Sequence, residues 1–231
     1  MPKPAGTNRR FLISKKNRAL IGAALLALGP GHPALRGQAD LAAIRARADQ
    51  GDPEAINLLA NAYANGQGIV QDLREALRLY QRSADRGLAS AQFNLGMMHE
   101  LGRGVSADLP TAFRFYLKAA EQGFAPAQFN VGNMYANGIG VKQDYFEAAL
   151  WFRQAADRGV PEAQYNLALA YELGRGVAKD DATAQRWYRA AATQRYSRAQ
   201  YNLALMMEEG RGSARDLAAA VGLYRAAATQ N

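Results

Sequence analysis

One spacing governs this chain: the same residue types return every 36 positions. Alanine stands at Ala55, Ala91, Ala127, Ala163 and Ala199, and again at Ala76, Ala112, Ala148, Ala184 and Ala220. Glycine pairs fall at Gly66/Gly68, Gly102/Gly104, Gly138/Gly140, Gly174/Gly176 and Gly210/Gly212, and aspartate at Asp72, Asp108, Asp144, Asp180 and Asp216. Five copies without an insertion describe one supersecondary unit stacked on itself, because a unit this small cannot bury its apolar face alone. The spacing predicts one elongated solenoid, a scaffold that holds partners more often than it does chemistry.

The second copy shows what each unit is. On a helix, Ala91, Leu95, Met98 and His99 share one face, with Gly96 beside them where another helix can approach closely. The chain then breaks at Gly102-Arg-Gly104-Val105, where glycine permits positive φ. Val105, with Ile69, Val141 and Val177 at the same place elsewhere, is positioned to plug the joint between helices. Asp108 sits at an N-cap, and Asp72-Leu-Arg-Glu75 and Asp144-Tyr-Phe-Glu147 extend that cap to a capping box. A second helix buries Ala112, Phe115, Tyr116, Ala119 and Ala120 and stops at Gly123, matched by Gly51, Gly87 and Gly159. Each copy is an antiparallel helix pair, A then B. The organisation expected is a half-repeat cap over 40–54 and five repeats over 55–231 (55–90, 91–126, 127–162, 163–198 and 199–231).

Of the 28 Lys and Arg, seven precede residue 40, where no acid occurs; the rest of the chain carries 21 against 20 acids. The basic excess belongs to the N-terminal segment, which removes the electrostatic case for nucleic acid as a partner. That segment reads as a secretory leader over 1–39. A basic stretch from Arg9-Arg10 to Arg18 precedes the apolar run Ala19–Leu28, and the small-x-small site Gly37-Gln38-Ala39 would leave Asp40 first. The run is too short to span about 30 Å of hydrocarbon comfortably, so no membrane span is expected in the mature chain. A periplasmic or secreted location follows, with Arg9-Arg10-Phe-Leu-Ile loosely resembling a twin-arginine signal, and it stands ahead of a mitochondrial transit peptide. No cysteine is present, which excludes disulfides and thiol chemistry.

The strings Ala91-Gln-Phe-Asn-Leu-Gly, Ala127-Gln-Phe-Asn-Val-Gly and Ala163-Gln-Tyr-Asn-Leu-Ala, each followed by Gly-x-Gly and Asp-x-x-x-Ala, resemble the Sel1-like repeat family. Tetratricopeptide repeats are similar but shorter, with a period of about 34. The resemblance implies an all-α, right-handed α-solenoid used as an adaptor for proteins or peptides. Exported bacterial members are often regulators or assembly factors at the cell envelope. One cysteine-rich branch is described as binding or hydrolysing β-lactams, and this chain lacks its cysteine pair. Three departures stand out: Arg195 in a glycine slot, Ser213 in a valine slot, and Ile56-Asn57-Leu58 in place of Gln-aromatic-Asn.

No enzyme is evident. His99 occupies the slot of Tyr63, Tyr135 and Tyr171 and reads as a packing residue, and no cofactor or metal is expected. The rival readings are a hydrolase acting on peptidoglycan or β-lactams, and a self-assembling subunit joined through the C-terminal helix. The candidate binding surface is the A-helix face opposite the core: Phe93, Met97, Phe129, Asn133, Tyr165, Leu169 and Tyr201, flanked by Asn94, Asn130, Asn166 and Asn202. Two roles are open to these residues. The aromatics either wall a concave groove or pack on the neighbouring A helix. The asparagines either hold a peptide backbone, which an amide can do in both directions, or bond the backbone of the adjacent repeat.

Overall fold

The computed structural model describes residues 38–230, so residues 1–37, where the leader is expected, lie outside it. Eleven α-helices and no strand occur among the described residues. Helix α1 (Gln38–Asp49) is followed by five pairs: α2 (Pro53–Asn65) with α3 (Leu73–Ala84), α4 (Ala89–Leu101) with α5 (Leu109–Glu121), α6 (Ala125–Asn137) with α7 (Tyr145–Asp157), α8 (Pro161–Leu173) with α9 (Asp181–Thr193), and α10 (Ser197–Glu209) with α11 (Leu217–Ala228). Each helix packs on its neighbours in the chain, which makes the fold the expected all-α solenoid.

The ends of the helices follow from the recurring aspartate and glycine. Asp72, Asp108, Asp144, Asp180 and Asp216 accept from the third amide of their B helices at 3.0, 3.0, 3.1, 3.0 and 2.9 Å. The backbone N–H of each of these aspartates donates nine residues back, to the carbonyls of Tyr63, His99, Tyr135, Tyr171 and Met207. That bond prevents the reciprocal half of the expected capping box. The cap amide is already taken, and Glu75 turns instead to Arg78 at 2.6 Å.

The second glycine of each pair is needed twice over. Gly104 has φ +72, and a Cβ there would stand 2.5 Å from the Leu73 carbonyl, so the loop lies directly on the first turn of the preceding B helix. Where glycine is absent, the backbone holds its shape anyway. Arg195 is the one non-glycine residue at positive φ among the described residues, at 63°. Helix α9 still ends at Thr193, so the chain accepts a left-handed arginine rather than extending the helix.

Large and small residues interlock in the core. Tyr80, Tyr116, Phe152 and Tyr188 fill one slot of successive B helices and are fully buried. Gly96 makes room for Tyr116, since a Cβ would stand 2.6 Å from its ring. Phe113, outside the expected core face, is buried beside Tyr135 with ring centres 5.2 Å apart, whereas Phe115, expected to be buried, is only half-buried. The recurring glutamine locks the stack. Gln128, Gln164 and Gln200 donate to the carbonyls of Ala120, Ala156 and Ala192, which satisfies a last-turn carbonyl of the preceding B helix.

Candidate functional site

Most of the expected groove is closed by the solenoid itself. Phe93 is 1% exposed, with its ring 5.3 Å from both Tyr116 of its own B helix and Phe124 at the start of the next A helix. Met97, Phe129, Asn133 and Leu169 are likewise buried. Tyr165 is half-buried between Tyr188 and Tyr196, at 5.6 and 5.4 Å. Tyr201 alone among these aromatics stands open, at 53% exposure, touching only Tyr224 among the aromatic rings. The pattern has one cause: an aromatic here is covered by the residue that begins the next A helix, and none of the described residues covers Tyr201.

The asparagines are not a uniform row. Asn94 donates to Asn57 and Asn61 at 3.0 and 3.3 Å, and Asn166 donates to Asn133 at 3.0 Å, all buried. These are side-chain bonds between repeats, neither free for a ligand nor made to a neighbour's backbone. Where Asn166 has Asn133 in the previous repeat, Asn130 and Asn202 have Met97 and Leu169 at the same sequence spacing, and those side chains offer no amide acceptor. Asn202 turns to the hydroxyls of Tyr188 at 3.1 Å and Tyr165 at 3.5 Å, while Asn130 is half-buried and makes no side-chain hydrogen bond among the described residues.

The open tyrosine belongs to a cavity of about 480 Å³ formed by α8, α10 and α11. Tyr165, Tyr201 and Tyr224 supply apolar ring faces, with Arg198, Ser197 and Asn202 as polar groups and Ala227 and Ala228 at the edge. The Tyr224 hydroxyl donates to Glu208 at 2.7 Å, and burial pushes its pKa up to about 12, so it remains a donor at neutral pH. Three of the expected residues therefore meet in one place. Arg198, Ser197 and Tyr224 were missed. Arg198 lies three residues before Tyr201 on one helix face, a spacing that could have found it.

Against this geometry the comparisons are decisive. A profile described as the Sel1 repeat matches residues 53–88, 89–124, 125–160, 161–196 and 197–231. The chain belongs to the Sel1 repeat family. Its structure resembles the protective antigen c5321 of uropathogenic Escherichia coli, with 32% identity and a TM-score of 0.81 over 94% of this chain and 46% of that one. The chain thus spans about half the length of that relative. A Sel1 repeat protein from Oxalobacter formigenes gives 32% identity and a TM-score of 0.80 over 93% and 83% of the two chains. The immunity protein Pa5087 of Pseudomonas aeruginosa shares the fold at 21% identity and a TM-score of 0.51, over 92% of this chain and 81% of that one. No curated protein matches the sequence.

Elsewhere on these Sel1 repeats the groups that could carry chemistry have structural duties. His99 stacks on Phe115 at 5.6 Å, and burial holds its pKa below the usual histidine value, with Asp108 opposing the shift and Arg114 adding to it. Asp52, Glu75, Asp108 and Asp180 are held below the usual carboxylate range by hydrogen bonds to Arg47, Arg78, Thr111 and Thr183 respectively. Among the described residues, no group of three His, Asp or Glu side chains could hold a metal ion, and no helix is long and apolar enough to cross a membrane.

Proposed function

We propose that this chain is a non-enzymatic scaffold that binds a protein or peptide partner at the cavity formed by α8, α10 and α11. Sel1 repeats generally serve protein interaction, and the cavity has the composition such a role needs. Tyrosine and arginine are enriched among the residues that carry interface energy, because each combines a large apolar body with a polar tip. The observation that carries the reading is the exposure of Tyr201, whose counterparts in the other repeats are wholly or partly covered. Arg198 and Asn202 beside it offer polar contacts to a partner backbone. The hydrolase reading has less support at this cavity, which no carboxylate lines. With the leader expected over residues 1–39, the scaffold works outside the cytoplasm, at the cell envelope.

The test is affinity capture of the exported protein with its partners, comparing wild type with Tyr201→Ala and Arg198→Ala and taking Lys142→Ala as a control. Both cavity variants are expected to lose at least tenfold in recovered partner at unchanged thermal midpoint. Equal recovery by all four proteins would place binding on another face.

A further inference from the structure

The B-to-A interface between full repeats occurs four times, and the outer edge of α11 repeats one half of it. On α3, α5, α7 and α9 the first helical residue is half-buried under the next Gly-x-Gly loop: Leu73, Leu109, Tyr145 and Asp181 lie beneath Gly104, Gly140, Gly176 and Gly212. Their counterpart Leu217 is 49% exposed. Four residues on, Leu77, Phe113, Ala149 and Gln185 are half-buried or buried, while Val221 is 48% exposed. Ala84, Ala120, Ala156 and Ala192 are buried in the last turn of each B helix, and Ala228 is exposed. The cavity beside Tyr201 completes this edge. Tyr196 fills the matching place one repeat earlier, against Tyr165.

We propose that this edge seats an α-helix of the A type supplied by another polypeptide, docked as a further repeat would be. The four interfaces between full repeats define its chemistry. It begins with a bulky apolar or aromatic residue, as Leu88, Phe124, Val160 and Tyr196 begin α4, α6, α8 and α10, and that residue enters the cavity against Tyr201 and Tyr224. Four residues later it carries glutamine, which reaches the Ala228 carbonyl as Gln200 reaches that of Ala192. The proposal rests on the scaffold reading above and narrows it to a helical ligand.

The chain has no cysteine, so Arg225→Cys gives one labelling site on the exposed edge for an environment-sensitive dye. The probe is a synthetic peptide with this chain's own sequence from Tyr196 to Gly212, stapled and shown to be helical by circular dichroism. Saturable emission change is expected, weakened at least tenfold when the first tyrosine of the peptide is replaced by alanine. Adding Val221→Asp or Tyr201→Ala to the labelled protein, with unchanged circular dichroism, is expected to abolish it. No saturation up to millimolar peptide, or equal binding by the Val221→Asp protein, overturns the proposal. If the natural partner is still captured through Tyr201 in that case, the scaffold reading stands and the helical ligand does not.

Discussion

The hydroxyl of Tyr188 donates to the carboxylate of Glu172 at 2.7 Å, joining the B helix of the fourth repeat to its A helix. Arg211, in the Gly-x-Gly loop of the fifth repeat, closes on the other carboxylate oxygen at 2.9 Å. Burial pushes the Tyr188 pKa well above its ordinary value, so the hydroxyl remains a donor at any pH the fold meets. The same tyrosine-to-glutamate bond recurs at Tyr116–Glu100 and Tyr224–Glu208, but Arg211 has an arginine counterpart only in Arg103 and Arg175. Arg103 meets Ala64 and bonds its carbonyl instead.

Breaking this contact from the arginine side should loosen the fifth repeat. Removing one partner of a fully buried ion pair costs about 3–5 kcal/mol. Arg211 keeps 27% of its side chain in solvent, so Arg211→Ala is expected to cost less, about 1–2 kcal/mol. Glu172→Gln, which keeps an acceptor for Tyr188, should cost less than Glu172→Ala. Urea denaturation of the three variants checks the order, and faster amide exchange should be confined to α8 through α11, since repeats couple chiefly to their neighbours.

Two substitutions at left-handed positions should act with opposite signs. Gly104→Ala meets both a positive φ and the Leu73 carbonyl, so it is expected to destabilise by about 2 kcal/mol or more. Arg195→Gly removes the strain of an arginine at φ 63° and is expected to stabilise by about 0.5–1 kcal/mol, because left-handed strain outweighs the extra chain entropy of glycine. Thermal midpoints measure both. A loss of stability in Arg195→Gly would mean the arginine side chain contributes more than its backbone costs.

His99 gives the fold a mild acid sensitivity. Its folded-state pKa lies below the ordinary histidine value, so protonation favours the unfolded chain. Stability is then full above the ordinary histidine range and falls as pH drops through about 6.5 towards the depressed value. The denaturation midpoint is expected to be lower at pH 5.5 than at pH 7.5. His99→Tyr, which restores the residue of three sister repeats, should reduce the difference. The carboxylates with lowered pKa lose their contribution only near pH 4 and below, so they leave this window clear. An unchanged pH dependence in His99→Tyr would show that the buried imidazole has no part in it.

The period was enough to establish the architecture because every local signal agreed with it. Aspartate at the cap, glycine in the loop and alanine at the close contacts each act within a few residues or on the adjacent helix, and their spacing is written directly in the chain. Even the strain at Arg195 could be anticipated, since the residue stands where the backbone turns left-handed regardless of its side chain. The binding face was harder to read. Phe93 and Tyr201 occupy the same slot in the sequence, yet one is buried and the other open, because burial depends on whether another helix lies alongside. The asparagines show the same limit: Asn94 and Asn166 find amide partners in the preceding repeat, whereas Asn202 finds tyrosine hydroxyls there and Asn130 makes no side-chain hydrogen bond among the described residues. Sequence alone determined the repeat, its helices and their ends, which rest on short-range backbone chemistry. Only the tertiary structure decided which copies of a repeated residue hold the stack together and which remain open to a partner, because that depends on contacts between residues about 36 positions apart.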